Sequence, residues 1–264
     1  MPCRYFDLRT STFHGGLTMY SERAIHGSSR TLDLVSVTAW FALCVPVGYK
    51  VWLACAHSAW SVALAALLAF LITDAISGIV HWAADTYGNA RTPLFGPSFI
   101  QPFREHHTDQ MAITRHDFLE TNGNNCLVSL PALLLAWWLP LEPGDAVLSF
   151  FTILLFFACA WVLATNQIHK WAHQENPPPL VALLQRVHLI LPPQHHAIHH
   201  GEPFTRNYCI TNGWMNAPLA AIGFFPAMEW LLDRAVGLKP RPGEDDAEAA
   251  FAHAASAAAP VIQN

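Results

Sequence analysis

The chain has 264 residues, of which 53% are hydrophobic and 12% charged, with a formal charge of -5. An ordinary soluble domain carries about 25% charged residues, so this composition, with a mean hydropathy of +0.26, points to a membrane and gives no reason to expect a nucleic-acid partner. Cys3, Cys44, Cys55, Cys126, Cys159 and Cys209 include no C-x-x-C pair, which counts against thiolate zinc sites and leaves packed, reduced thiols as the expectation.

Residues 1–31 carry charges and histidines but no apolar core with a cleavage site, and read as a polar N-terminal tail. Four apolar segments follow, at about 34–50, 59–80, 127–141 and 146–165. Each is read as a spanning helix, so the expected fold is all-α and multi-pass, with about four transmembrane helices. Glu142, Pro143, Gly144 and Asp145 form a tight connector between the last two segments. A single membrane domain over 32–240 is expected, followed by an acidic, then Ala-rich tail over 241–264.

Basic residues fix the orientation. Four arginines precede the first span, three (Arg91, Arg104 and Arg115) lie between the second and third, and six Lys or Arg follow the fourth. With four spans, 13 of the 14 basic residues share one face and only Lys50 is opposite. That face is expected to be cytoplasmic.

The histidines gather on the same face, in four groups: His81 with Asp85; His106 and His107, followed by His116; His169 with His173; and His195, His196, His199 and His200. Residues four apart share a helix face, so each group can aim two or three donors at one point. One zinc takes about four ligands, so nine or ten imidazoles suit two ions rather than one. Imidazole alone does not select among Zn, Cu, Fe and Ni. No H-E-x-x-H or G-x-S-x-G is present, which removes the common zinc-protease and lipase readings. His14, His26, His57 and His253 read as solvent or interfacial residues, and His188 sits in an apolar stretch that looks like an interfacial helix.

Asp74 lies inside the second span, where an acid is costly. It is placed to accept the second N–H of a ligand histidine, with a helix-bundle hydrogen bond as the alternative, and Asn166 has the same two readings. Asp85 reads as a direct ligand, an acceptor for a ligand's N–H, or a proton carrier. Arg104, Lys170 and Arg186 are candidate lipid-phosphate contacts, and Trp82, Trp171 and Trp214 candidate interfacial anchors.

Four stretches, DAISGIVHWAADTYG (74–88), PFREHHTDQMAITRHDFLETNGNNC (102–126), NQIHKWAH (166–173) and 183–216 with LPPQHHAIHH and YCITNGWMN, resemble the plasmanylethanolamine desaturase (Kua/CarF-type lipid desaturase) family over roughly residues 60–240. The resemblance implies conversion of a 1-O-alkyl ether phospholipid to the vinyl ether of a plasmalogen. A plant branch of the family looks like an acyl-chain desaturase, and the TRHDF and ETNGNNC stretches stand closer to the plasmalogen branch. Membrane desaturases carry a histidine where this chain has Asp85, a departure the family shares.

Hydrogen removal from an unactivated C–H bond needs a metal cofactor. Two iron ions and O₂ are therefore expected, with O₂ leaving as water and two electrons coming from a cytochrome b5-like or ferredoxin-like donor. The expected metal residues are His81, His106, His107, His116, His169, His173, His195, His196, His199 and His200, with Asp85 and Asp74 in catalytic roles. The alternatives are a fatty-acyl desaturase or hydroxylase on the same scaffold, and a membrane metal transporter, whose ligands would be spread through the bilayer depth. The expected location is the cytoplasmic membrane in a bacterium or the endoplasmic reticulum in a eukaryote.

Overall fold

The computed structural model describes residues 29–93, 95–140 and 146–240, and the described residues are helices and connecting turns without a strand. Both expected tails fall wholly or largely outside these residues, as does the connector at Glu142–Asp145.

Helix α1 (Arg30–Thr86) is two helices end to end. Ser29 caps its start, its hydroxyl accepting from Leu32 N at 3.2 Å. At Ser58 the backbone leaves helical geometry (φ -158°, ψ 76°) and the chain reverses. The Ser58 hydroxyl accepts from Ser61 N at 3.4 Å, a local cap for the second segment, and donates to Ser61 Oγ at 2.8 Å. Helix α4 (Phe118–Trp138) begins with a capping box, Asp117 accepting from Leu119 and Glu120 amides while Glu120 reaches back to Asp117 N. Helix α5 (Ala146–His173) runs back beside it.

Side-chain contacts fix the directions. Arg30 meets Asp117 at 2.6 Å, and Lys50 donates to the carbonyls of Ala136, Trp137 and Leu139, so the first half of α1 runs parallel to α4. Asn122 meets Gln167 and Cys159 meets Ser129, so α5 is antiparallel to α4. The result is an up-down four-helix bundle. Its core holds Val37, Trp40, Val47, Cys126, Leu133, Ala136 and Cys159, with Trp40 Nε1 bonded to Ser129 Oγ at 3.1 Å. Val51, Ala54, Val62, Ala65 and Ile153 close the far end. Lys50, the one basic residue at that end, sits where a cation complements the carbonyl end of α4.

Among the described residues, three segments are long and apolar enough to cross a membrane: Arg30–Cys55, Ser58–Thr86 and Ala146–His173. Only 17% of the α5 window is buried in the protein, so most of that apolar surface needs a lipid solvent. The expected third span, at about 127–141, differs. Helix α4 has 21 residues, about 31 Å at 1.5 Å per residue, which matches the hydrocarbon thickness. Its first half, however, is polar at Asn122, Asn124 and Asn125. Two of these amides are laced to α5: Asn122 Nδ2 to Gln167 Oε1 at 3.3 Å and Asn125 Nδ2 to Val162 O at 2.6 Å. Asn166 of α5 answers with bonds to Thr121 O and Asn125 Oδ1, a helix-to-helix role rather than support for a ligand ring.

The remaining elements lie at the end where α1 and α5 finish. A π-helical turn (Gly96–Ile100) leads into α2 (Gln101–Thr108) and α3 (Ala112–Arg115). After α5 come α6 (Pro179–Arg186), α7 (Pro193–His199), α8 (Asn216–Ala221) and α9 (Phe224–Val236). Trp82 is buried and its Nε1 donates to Glu229 at 2.9 Å, docking α9 on the bundle rather than anchoring it in an interface. Cys44, Cys55, Cys126, Cys159 and Cys209 are free thiols.

Candidate metal centre

Four elements deliver imidazoles to one region under the end of the bundle. His81 and Asp85 occupy the last turns of α1, His106 and His107 lie in α2, His169 and His173 end α5, and His196, His199 and His200 come from α7 and its C-terminus. Their donor atoms sort into two groups. His106, His169, His173, His196 and His200 form one, and His81, Asp85, His107 and His199 the other, with the donor atoms of each group within 4.8 Å of one another.

Helix periodicity explains the sorting. Residues four apart stay together: His169 with His173, His196 with His200, and His81 with Asp85. Neighbours at about 100° per residue separate, so His106 joins the first group and His107 the second. His199, three residues after His196, also crosses to the second group.

In the five-histidine group the Nε2 atoms of His106 and His173, His169 and His196, His173 and His196, and His196 and His200 lie 2.8–2.9 Å apart. His173 and His169 Nε2 are 3.3 Å apart. Metal–imidazole bonds are about 2.0–2.1 Å long, which places neighbouring ligand nitrogens roughly 3 Å from each other around one ion. A neutral imidazole has one N–H and one lone pair, so five clustered Nε2 atoms cannot all satisfy one another by hydrogen bonding, whereas a single cation satisfies every lone pair. In the second group His107 and His199 Nε2 are 3.0 Å apart. Asp85 Oδ2 lies 3.4 Å from His81 Nε2 and 3.6 Å from both His107 and His199 Nε2. The buried His81 Nε2 has no hydrogen-bond partner. The donors present therefore fit two cations.

Two rings have their tautomer set from behind. His81 Nδ1 lies 3.1 Å from Tyr208 O, and His199 Nδ1 2.9 Å from Arg206 O. A carbonyl only accepts, so both Nδ1 atoms carry the proton and both Nε2 lone pairs face the centre. Burial, reinforced by neighbouring imidazoles, pushes His106 and His200 down to about 2 and His196 well below its ordinary range. Burial takes His199 to about 4 against the opposing pull of the Arg206 carbonyl. These four rings are neutral near pH 7, the form that binds metal.

His116 and His195 lie outside both groups. His195 Nε2 lies 2.9 Å from Asn216 Nδ2 and packs under Gly213, on the side of α7 away from the other rings. The backbone carbonyl of His116 accepts from Lys170 Nζ. His188 lies beyond α6 with a left-handed backbone (φ 58°) and joins neither group. Arg104 donates to the carbonyls of Ala84, Tyr87 and Gly88, which close the end of α1. Asp74 is fully buried and holds backbone rather than a ring: Oδ1 accepts from Thr211, Asn212 and Gly213 amides at 3.1, 2.8 and 3.0 Å, and Oδ2 from Met215 N at 2.9 Å. The loop so clamped carries Tyr208. Neither the Tyr208 nor the Arg206 carbonyl could be picked out by residue type, because the contact is made by backbone.

Comparison with known proteins places this arrangement. The model of the lipid desaturase domain matches residues 70–243. The plasmanylethanolamine desaturase of Myxococcus xanthus is 48% identical over 238 residues, 89% of this chain and 84% of that protein. Plasmanylethanolamine desaturase 1 of Mus musculus is 47% identical over 175 residues, 65% of each chain. Fatty acid desaturase 4, chloroplastic, of Arabidopsis thaliana is 36% identical over 183 residues, 68% of this chain and 54% of that protein. No solved structure matches.

Proposed function

The chain belongs to the lipid desaturase family, and from that premise we propose that it converts a 1-O-alkyl ether phospholipid, plasmanylethanolamine, into the corresponding vinyl ether. Two iron ions and O₂ are the reagents of this reading. The observation that carries it is the pair of donor groups, five imidazoles in one and three imidazoles with Asp85 in the other, side by side at one end of an apolar bundle. The 48% identity to a protein named for that activity supports the substrate.

The first iron is assigned to His106, His169, His173, His196 and His200, and the second to His81, Asp85, His107 and His199. When bound, the iron pair supplies O₂-dependent removal of hydrogen from an unactivated C–H bond, which no side chain can perform. The protein's own part is to hold the donors and exclude water. The carbonyls of Tyr208 and Arg206 lock two rings, and the burial of His81, His196 and His199 keeps bulk water from them. Reduction draws two electrons from an external cytochrome b5-like or ferredoxin-like donor at the histidine end. The basic bias of that end makes it the cytoplasmic side, of the cytoplasmic membrane in a bacterium or of the endoplasmic reticulum in a eukaryote.

Lipid mass spectrometry after expression in cells that lack plasmalogens tests the reaction. Acid-labile vinyl ethers are expected. A new double bond confined to an acyl chain would instead support the activity that the Arabidopsis relative is named for, and a hydroxylated lipid would make the protein a hydroxylase. Oxygen uptake that responds to neither ether nor acyl phospholipid would remove the desaturase reading and favour metal transport.

A further inference from the structure

Helix α6 faces two ways. Val181 and Gln185 are buried, Val181 in a cluster with Ile168, Ala172, Ile190 and Leu191, while Leu180, Leu183 and Val187 are 66, 54 and 52% exposed. An apolar stripe turned outward on a short helix, at the end of a membrane bundle, marks the depth of the lipid headgroups. On the flank of that stripe is an open cavity of about 340 Å³ between α6 and the start of α7, lined by Gln185, Arg186, His188, Pro192, Pro193 and Gln194. Its lining contains no acidic group. Gln185 is 4% exposed and its Nε2 has no hydrogen-bond partner. A buried donor left unpaired is costly, so a polar atom entering the cavity satisfies a group that the fold leaves unsatisfied. His188 turns the chain here in a left-handed conformation, with its carbonyl held by Trp214 Nε1 at 2.6 Å.

We propose that this cavity seats the phosphate group of a phospholipid, with the Arg186 guanidinium and the Gln185 amide as donors. It would be the headgroup site of the substrate assigned above, and the inference rests on that assignment. Position supports it. Pro192 and Pro193 open α7, and His196 follows three residues later, about 4.5 Å further along the helix at 1.5 Å per residue. In a 1-O-alkyl phospholipid the first chain carbon is six bonds from phosphorus, on the order of 8 Å at ordinary bond lengths. A reaction at the carbons nearest glycerol requires a headgroup seat within about that reach of the metals, and a cavity lined by the residues that open α7 is in the right part of the fold. A reaction deep in an acyl chain would require one much further away.

The test uses the full-length, iron-loaded protein in detergent and three probes: a short-chain dialkyl phosphatidylethanolamine, the matching dialkylglycerol without phosphate, and inorganic phosphate. A charge-assisted hydrogen bond contributes about 1.5–3 kcal/mol, or roughly tenfold or more in affinity. Arg186→Ala is therefore expected to weaken phospholipid binding about tenfold or more, leaving dialkylglycerol binding, iron content and melting temperature unchanged, with Arg186→Lys recovering part of the loss. In turnover the same variant should raise KM and spare kcat. Equal phospholipid binding by wild type and Arg186→Ala would overturn the proposal. So would inorganic phosphate that binds as tightly as the lipid, since the cavity would then be a free-anion site. The two readings fail separately: absence of vinyl ether in cells sinks the reaction, whereas lipid binding indifferent to Arg186 sinks the headgroup seat alone.

Discussion

His106 and His107 are neighbours in α2, yet their Nε2 atoms serve different donor groups, His106 meeting His173 at 2.9 Å and His107 meeting His199 at 3.0 Å. One helical turn thus links the two halves of the centre, and the two residues have separable effects.

His107→Ala leaves three donors in its group, and His106→Ala leaves four. Iron measured against protein in the purified variants should fall by about one ion per chain for His107→Ala. His106→Ala should bind both ions but release one more readily to a chelator. His116→Ala and His195→Ala, whose rings stand outside both groups, should keep wild-type iron. A loss for His195→Ala as large as that for His107→Ala would show that the centre is built from a different set of rings.

Those variants also mark where the sequence was legible. The i, i+4 pairs His169/His173, His196/His200 and His81/Asp85 follow from helix period alone, and the structure keeps each pair in one group. The division into two groups was not legible, because it depends on how α2 and α7 are rotated against the bundle. His195 has the same four-residue spacing to His199 as His196 has to His200, and only tertiary packing turns it to Asn216. The helical bundle was readable from apolar length. The start of α4 was not, since the expected span begins at about 127 and the amides before it are held within the helix by bonds to α5.

Asp74 presents a related case. An acid in an apolar helix suggested a catalytic or ring-orienting role, but the carboxylate accepts four backbone N–H bonds from residues 211–215. Removing it strands several buried donors, each costing about 1–3 kcal/mol. Asp74→Ala should therefore lose at least about 3 kcal/mol of stability. Asp74→Asn, which keeps one acceptor oxygen, should lose less. Because the same loop carries the Tyr208 carbonyl that orients His81, iron content should fall along with the melting temperature, and in the same order. Full stability in Asp74→Ala would mean that the loop is held by other contacts.

Acid should weaken the metal-free protein, and the sign follows from the buried rings. In the folded chain His199 titrates near 4, and His106 and His200 near 2, whereas an unfolded histidine titrates at about 6.5. Below about pH 6.5 the unfolded state therefore binds more protons, so stability is greatest above that value and declines as pH falls toward the folded values. Each such ring contributes up to about 1.4 kcal/mol per pH unit in this window. Bound metal competes with the same protons for Nε2, so the holoprotein should hold its melting temperature further into acid and then lose metal and stability together. Thermal melts of chelator-stripped and iron-loaded protein at pH 7.5 and 5.5 check this. The stripped form should melt lower at pH 5.5 by a margin that the loaded form does not show. A stripped protein with the same midpoint at both values would mean that these rings do not remain neutral in the folded chain.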